Sequence, residues 1–117
     1  MSADDPALDA TAIAELRDQL GDEVLAKVLD AYLDELPRYL GELRSGLANG
    51  DVQAVVRAAH SLKGASRLVG GTAFADACQA VEAAAGGEGL DGLGPQVTEI
   101  ERMAAAVGSA VRSQLPN

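Results

Sequence analysis

The sequence is poor in cysteine, histidine, aromatic residues and basic residues. Among its 117 residues there are one Cys, one His, two Tyr, one Phe and no Trp. One cysteine cannot form an internal disulfide, and the chain lacks the four Cys or His ligands that a structural zinc site needs. No apolar run approaches the length of a membrane span, and no secretory signal is visible. We therefore expect a cytoplasmic protein without a metal site.

Basic residues are outnumbered two to one, because nine Lys and Arg face eighteen Asp and Glu and give a net charge of −9. Such a charge argues against general nucleic-acid binding and against binding to anionic membranes. The imbalance is uneven: residues 1–50 hold eleven acids and four bases, whereas residues 51–117 hold seven acids and five bases. Between Val52 and Ala75 there are three bases, no acid and the single histidine. We call this stretch the basic island; its charged residues are Arg57, Lys63 and Arg67, and its histidine is His60.

Abundant Ala, Leu and Val with few β-branched runs indicate an all-α protein, and the length suits one domain. Apolar residues recur at helical spacing in five segments, divided by glycine-rich breaks at Gly21, 49–50, 70–71 and 86–94. Pro37 falls inside the second segment, whose apolar register continues across it, so we expect one kinked helix. The prediction is an antiparallel up-down four-helix bundle with an extra short N-terminal helix. Residues 1–8 are predicted to be a flexible tail and residues 9–117 a single domain.

The third segment, from Asp51 to about Val69, places His60 on its exposed face. At 100° per residue the apolar stripe lies on the opposite side of the helix from His60; it consists of Val55, Ala58, Ala59, Leu62, Ser66 and Val69. Lys63 lies one turn from the histidine, and Gly64 leaves the same face without a side chain. His60 lies eleven residues before Gly71, and Glu82 lies eleven residues after Gly71. In a helical hairpin that turns at Gly71, His60 and Glu82 therefore lie at the same height along the two antiparallel helices. We expect the Glu82 carboxylate to fix the tautomer of His60.

These residues carry a family resemblance. The run His60-Ser61-Leu62-Lys63-Gly64, followed by Gly70, Cys78 and Val81-Glu82, resembles the histidine-containing phosphotransfer (HPt) domain of multistep phosphorelays. The resemblance covers essentially the whole chain. It implies that His60 carries a phosphoryl group, that Lys63 offsets the phosphoryl charge, that Gly64 opens the site and that Glu82 orients His60. A small residue at Ser66 is typical of the family, and we interpret it as packing.

The resemblance also implies a phosphocarrier that is not an enzyme, with no ATP site and no autokinase activity. Its expected partners are response-regulator receiver domains and a hybrid sensor histidine kinase, and the receiver is expected to supply Mg²⁺. We expect no cofactor of the chain's own and a monomer. Docking is predicted to use apolar surface ringed by bases, which suits a receiver's acidic pocket; the docking residues are Val56, Arg57, Arg67 and Leu68.

Three alternatives remain open at this stage. The chain could be a helical scaffold that binds a receiver without carrying phosphate. It could be the substrate domain of a chemotaxis-type histidine kinase. The dimerisation helices of sensor kinases also carry a phosphorylated histidine, but their H-E-x-x-x-P motif is not matched here, because Ser61 follows His60.

Overall fold

The chain folds into four α-helices in a computed structural model that describes residues 7–115. The helices are α1 (Ala10–Asn49), α2 (Val52–Leu68), α3 (Thr72–Gly87) and α4 (Gly94–Ser113). Each helix packs against the next one in sequence, and α4 returns to pack against α1. The predicted antiparallel four-helix bundle is confirmed. Residues 1–6 of the predicted tail and the last two residues of the predicted domain lie outside the described part, whereas Ala7 and Leu8 are half-buried against the core.

Gly21 divides α1 into a short and a long part. Its φ of 81° and ψ of 164° are not helical, and a positive φ of this size favours glycine. At about 1.5 Å per residue, the 28 residues that follow would form a rod of about 42 Å. The long axis of the molecule is also 42 Å. The long part therefore spans the bundle, and the start of the short part lies against Gly70 at the turn between α2 and α3.

The helix boundaries follow local sequence signals. Asp9 and Asp51 cap α1 and α2, each accepting a hydrogen bond from a backbone N–H of the first turn. Gly50 ends α1 in the left-handed conformation with a φ of 68°. The helix continues through Pro37, as the unbroken apolar register predicts. One boundary differs from expectation, because α3 extends through two glycines of the predicted 86–94 loop and ends at Gly87.

The core lies along the bundle axis and receives side chains from all four helices. Its largest fully buried members are Phe74, Leu25, Leu29, Leu43, Leu62 and Ile100. The predicted apolar stripe of α2 is buried throughout, including Ser66. This stripe fixes the rotation of α2 and so leaves the opposite face, which carries His60, toward solvent. No helix within residues 7–115 is long and apolar enough to cross a membrane.

Candidate functional site

His60 lies near the middle of α2, on the face turned away from the core. Its side chain is 66% exposed. The neighbouring residues Ala58 and Ala59 are buried, so their contacts hold this turn of the helix against the bundle. The imidazole is therefore presented to solvent from a rigid helix.

Glu82 of α3 binds both His60 and Lys63 through its two carboxylate oxygens. Nδ1 of His60 lies 2.9 Å from Oε2, and Nζ of Lys63 donates a hydrogen bond of 2.8 Å to Oε1. An ionised carboxylate only accepts hydrogen bonds, so the proton of a neutral imidazole resides on Nδ1. The other ring nitrogen, Nε2, then carries a free lone pair.

The Glu82 carboxyl is held in its ionised form. The hydrogen bond from Lys63 is the largest cause that lowers the pKa of Glu82 below its ordinary value, and the bond to His60 lowers it further. Partial burial acts in the opposite direction but does not reverse the shift. At neutral pH a negative charge therefore faces Nδ1 of His60.

The surface around His60 is open. A Cβ built on Gly64 would meet no atom within 4 Å, which leaves the turn after His60 unobstructed. Leu68, two turns after His60, is 53% exposed and borders a groove of about 200 Å³ between α1 and α2. Val56 is half-buried and Arg57 is exposed. The structure thus brings apolar surface to both sides of the histidine along α2.

Arg67 is bound to α3. Its Nη2 donates hydrogen bonds to Oδ1 of Asp76 at 3.1 Å and to Oε1 of Gln79 at 2.7 Å. Neither acceptor was predicted from the sequence. Arg67 precedes Gly71 by four residues and Asp76 follows it by five, so a helical hairpin places these two at nearly the same height, whereas Gln79 lies about one turn further along α3. Among residues 7–115, Arg57 by contrast forms no ion pair.

Three other side chains with a hydroxyl or thiol group, those of Tyr32, Ser66 and Cys78, lie in the core and not at this surface. Ser66 is fully buried, and its Oγ lies 2.8 Å from the hydroxyl of Tyr32. Burial raises the pKa of Tyr32 to about 12 and that of the Cys78 thiol to about 12. Both groups are therefore protonated at neutral pH, so neither is an anionic nucleophile. In the part of the chain that the structure describes, no three His, Cys, Asp or Glu side chains are grouped to hold a metal ion.

The fold agrees with comparisons to known proteins. A family model for the Hpt domain matches residues 27–110. The crystal structure of histidine-containing phosphotransfer protein B (HptB) from Pseudomonas aeruginosa PAO1 has a TM-score of 0.87 and 29% sequence identity, covering 93% of this chain and 94% of that one. The HPT domain from the Hpt sensor hybrid histidine kinase from Shewanella has a TM-score of 0.77 at 24% identity, covering 95% and 97%; at that identity the match concerns the fold alone. None of the curated proteins matches this chain significantly.

Proposed function

The chain belongs to the Hpt domain family and is a histidine phosphotransfer intermediate of phosphorelay signalling, and from this premise we propose that His60 carries the phosphoryl group. As an Hpt domain it is a phosphocarrier and not a kinase, and it interacts with histidine kinases and receiver domains. One observation carries the proposal: the only imidazole of the chain is exposed, and its Nδ1 is bound to a carboxylate.

The nucleophile is Nε2 of His60. Because Nδ1 keeps its proton toward Glu82, Nε2 attacks the phosphorus of a receiver's phosphoaspartate in line. An N–P bond forms while the P–O bond to the aspartyl group breaks, and the bonding electrons leave with the aspartate carboxylate. The ring retains its Nδ1 proton and acquires a formal positive charge. The Glu82 carboxylate, 2.9 Å from Nδ1, stabilises that charge from the edge of the ring opposite to the phosphoryl group.

Lys63 provides positive charge for the phosphoryl oxygens. It follows His60 by three residues on the same helix, so the two side chains are neighbours on one face. The Glu82 carboxylate holds the ammonium beside the imidazole before the phosphoryl group arrives. Positioned charge of this kind is the main contribution that a protein makes to phosphoryl transfer. The open surface at Gly64 admits the receiver's active site.

The receiver docks on the exposed ridge of α2. Leu68 with its adjoining groove and the half-buried Val56 supply apolar contacts on either side of His60. Arg57 supplies a cation that no acid within residues 7–115 neutralises, and it suits the acidic pocket of a receiver. Arg67 of the predicted docking set is engaged with α3 in the free protein.

Phosphotransfer to His60→Gln tests this proposal. A receiver domain is phosphorylated, mixed with wild-type protein or with the variant, and the label on each is followed with time. We expect rapid labelling of the wild type, with the acid lability of an N–P bond, and no labelling of the variant. Circular dichroism should give equal helicity for both, because His60 is outside the core. Labelling of neither protein would favour the scaffold alternative, and equal labelling of both would reject His60 as the residue that carries the phosphoryl group.

The proposal includes the remaining properties that the family implies. The protein takes no phosphate from ATP on its own, uses Mg²⁺ only through the receiver, and acts as a monomer in the cytoplasm. Incubation with ATP and Mg²⁺ alone should leave it unlabelled. Chelation of Mg²⁺ should stop transfer from the receiver without removing phosphate from protein that is already labelled. A dimer by light scattering would contradict the monomer.

A further inference from the structure

Two groups of polar contacts follow one another along the exposed seam between α2 and α3. Near the turn, Arg67 binds two α3 side chains, and further along Lys63 and His60 both bind one α3 carboxylate. We call this series the α2–α3 ladder; its members are Arg67, Asp76, Gln79, Lys63, Glu82 and His60. On α3 the acceptors follow one another at intervals of three residues. Each acceptor is therefore about 4.5 Å further along the helix than the one before.

The buried faces of α2 and α3 combine large side chains with small ones. The large ones include Leu62, Phe74 and Val81, and the small ones are Ala58, Ala59, Ala75, Cys78 and Ala85. Contacts between small apolar side chains are non-directional, and they restrict sliding and rotation of one helix against another less than interlocking large side chains do. Hydrogen bonds are directional, because their energy falls steeply when the angle or distance changes. The ladder therefore adds directional contacts at the exposed edge of this interface.

We propose that Arg67 is a positioning residue for the phosphotransfer site. It binds Gln79, which lies three residues before Glu82 on α3, and thereby holds the turn of α3 that carries the Glu82 carboxylate. A displacement of that carboxylate by a fraction of an ångström would lengthen its bond to Nδ1 of His60. Arg67 acts on His60 only through this route, since its guanidinium is bound to α3 and not to the imidazole. This inference rests on the proposed function, and it assigns Arg67 to the site's geometry and not to docking.

The experiment compares Arg67→Gln and Arg67→Lys with the control Arg57→Gln. Arg57 lies on the same helix, three residues before His60, and has no ion pair among residues 7–115. Nitrogen-15 NMR of the isolated protein reports the tautomer of His60, and transfer from a phosphorylated receiver is measured over a range of receiver concentrations. All variants should keep wild-type helicity by circular dichroism.

We expect Arg67→Gln to shift the His60 nitrogen signals toward a mixture of tautomers. The transfer rate at saturating receiver should fall about two- to fivefold, which is the range that a partly exposed ion pair can supply. The receiver concentration for half-maximal rate should not change. Arg67→Lys should recover part of the rate, because one donor remains. Arg57→Gln should raise the half-maximal concentration and leave the nitrogen signals of His60 unchanged.

Two results would overturn the assignment. Wild-type nitrogen signals in Arg67→Gln, whatever the rate, would mean that Arg67 does not position His60. A raised half-maximal concentration with an unchanged saturating rate would make it a docking residue. If Arg67→Gln loses helicity, Gln79→Ala removes the same contact from α3 and should shift the same signals. The NMR measurement needs no receiver, so its outcome is separate from labelling of His60→Gln, on which the proposed function depends.

Discussion

The hydrogen bond between Tyr32 and Ser66 gives a sharp test of how α1 and α2 are held together. Their hydroxyl oxygens lie 2.8 Å apart, and the two residues are 5% and 0% exposed. Tyr32→Phe removes one hydroxyl and changes little of the packed volume. It leaves Oγ of Ser66 buried without its partner, because no other side-chain bond to that atom is present.

The expected cost follows from that loss. An unsatisfied buried hydroxyl costs about 1–3 kcal/mol. A helical serine can turn its hydroxyl toward the carbonyl four residues earlier, here that of Leu62, which recovers part of the loss. We therefore expect Tyr32→Phe to lower the free energy of unfolding by about 1–2 kcal/mol and the melting temperature by about 4–8 °C for a domain of this size.

A double-mutant cycle with Ser66→Ala isolates the bond. In the double variant neither hydroxyl is present, so no buried hydroxyl is left unpaired. The free energy of unfolding of the double variant should therefore be no lower than that of the less stable single variant. Urea unfolding followed by circular dichroism measures all four proteins, with equal m-values as the check on two-state behaviour. If the two single losses add to within about 0.5 kcal/mol, the residues are not coupled and the reasoning is refuted. Transfer to His60 should stay at the wild-type rate in Tyr32→Phe.

Three further predictions concern other parts of the molecule. Burial raises the pKa of the Cys78 thiol to about 12, so a thiol reagent should label it only after unfolding; labelling of the native protein at the rate of a free thiol would contradict this. Gly70→Ala should lower the free energy of unfolding by about 2 kcal/mol or more, because the φ of Gly70 is +85° and the new Cβ would lie 2.9 Å from a backbone oxygen. Gly64→Ala has free space for its Cβ, so it should stabilise α2 by up to about 1 kcal/mol while slowing transfer. The hydrogen bond from Lys63 lowers the pKa of Glu82 below its ordinary value, so the ionised carboxylate stabilises the fold at neutral pH and this stabilisation is lost as the pH falls through the lowered pKa. Between pH 6 and pH 3 the melting temperature of Glu82→Gln should therefore drop less than that of the wild type. An equal drop in both proteins would show that Glu82 does not contribute to the pH dependence of stability.

The sequence predicted best those features that follow from regular helix geometry, such as the exposure of His60 and the position of Glu82. The stripe from Val55 to Val69 has helical spacing, and a helix can bury only one face, so the exposure of His60 follows directly. The height of Glu82 opposite His60 also follows, since two antiparallel helices joined by a tight turn rise at the same rate per residue.

Contacts between distant segments were not predictable in the same way. The bond between Tyr32 and Ser66 joins residues 34 positions apart, and no local pattern encodes it. The direction of the Arg67 side chain could not be predicted from the sequence, because a long flexible side chain at a helix surface can face either solvent or the neighbouring helix. In the structure Asp76 and Gln79 of α3 bind the guanidinium, and they become neighbours of Arg67 only once the bundle has formed.

The break at Gly21 separates residues 10–20 from the four-helix bundle, and the two parts differ in local stability. Residues 10–20 form a helical piece too short to be stable alone, and in it only Ile13 is fully buried. One buried isoleucine contributes about 1.5–3 kcal/mol, against an ordering cost of about 1–2 kcal/mol for each residue fixed. The contact of Asp9 with Gly70 adds one backbone hydrogen bond of 2.7 Å. This piece should therefore open and exchange its amide hydrogens well before the bundle does, while the helices that carry His60 and Glu82 remain closed.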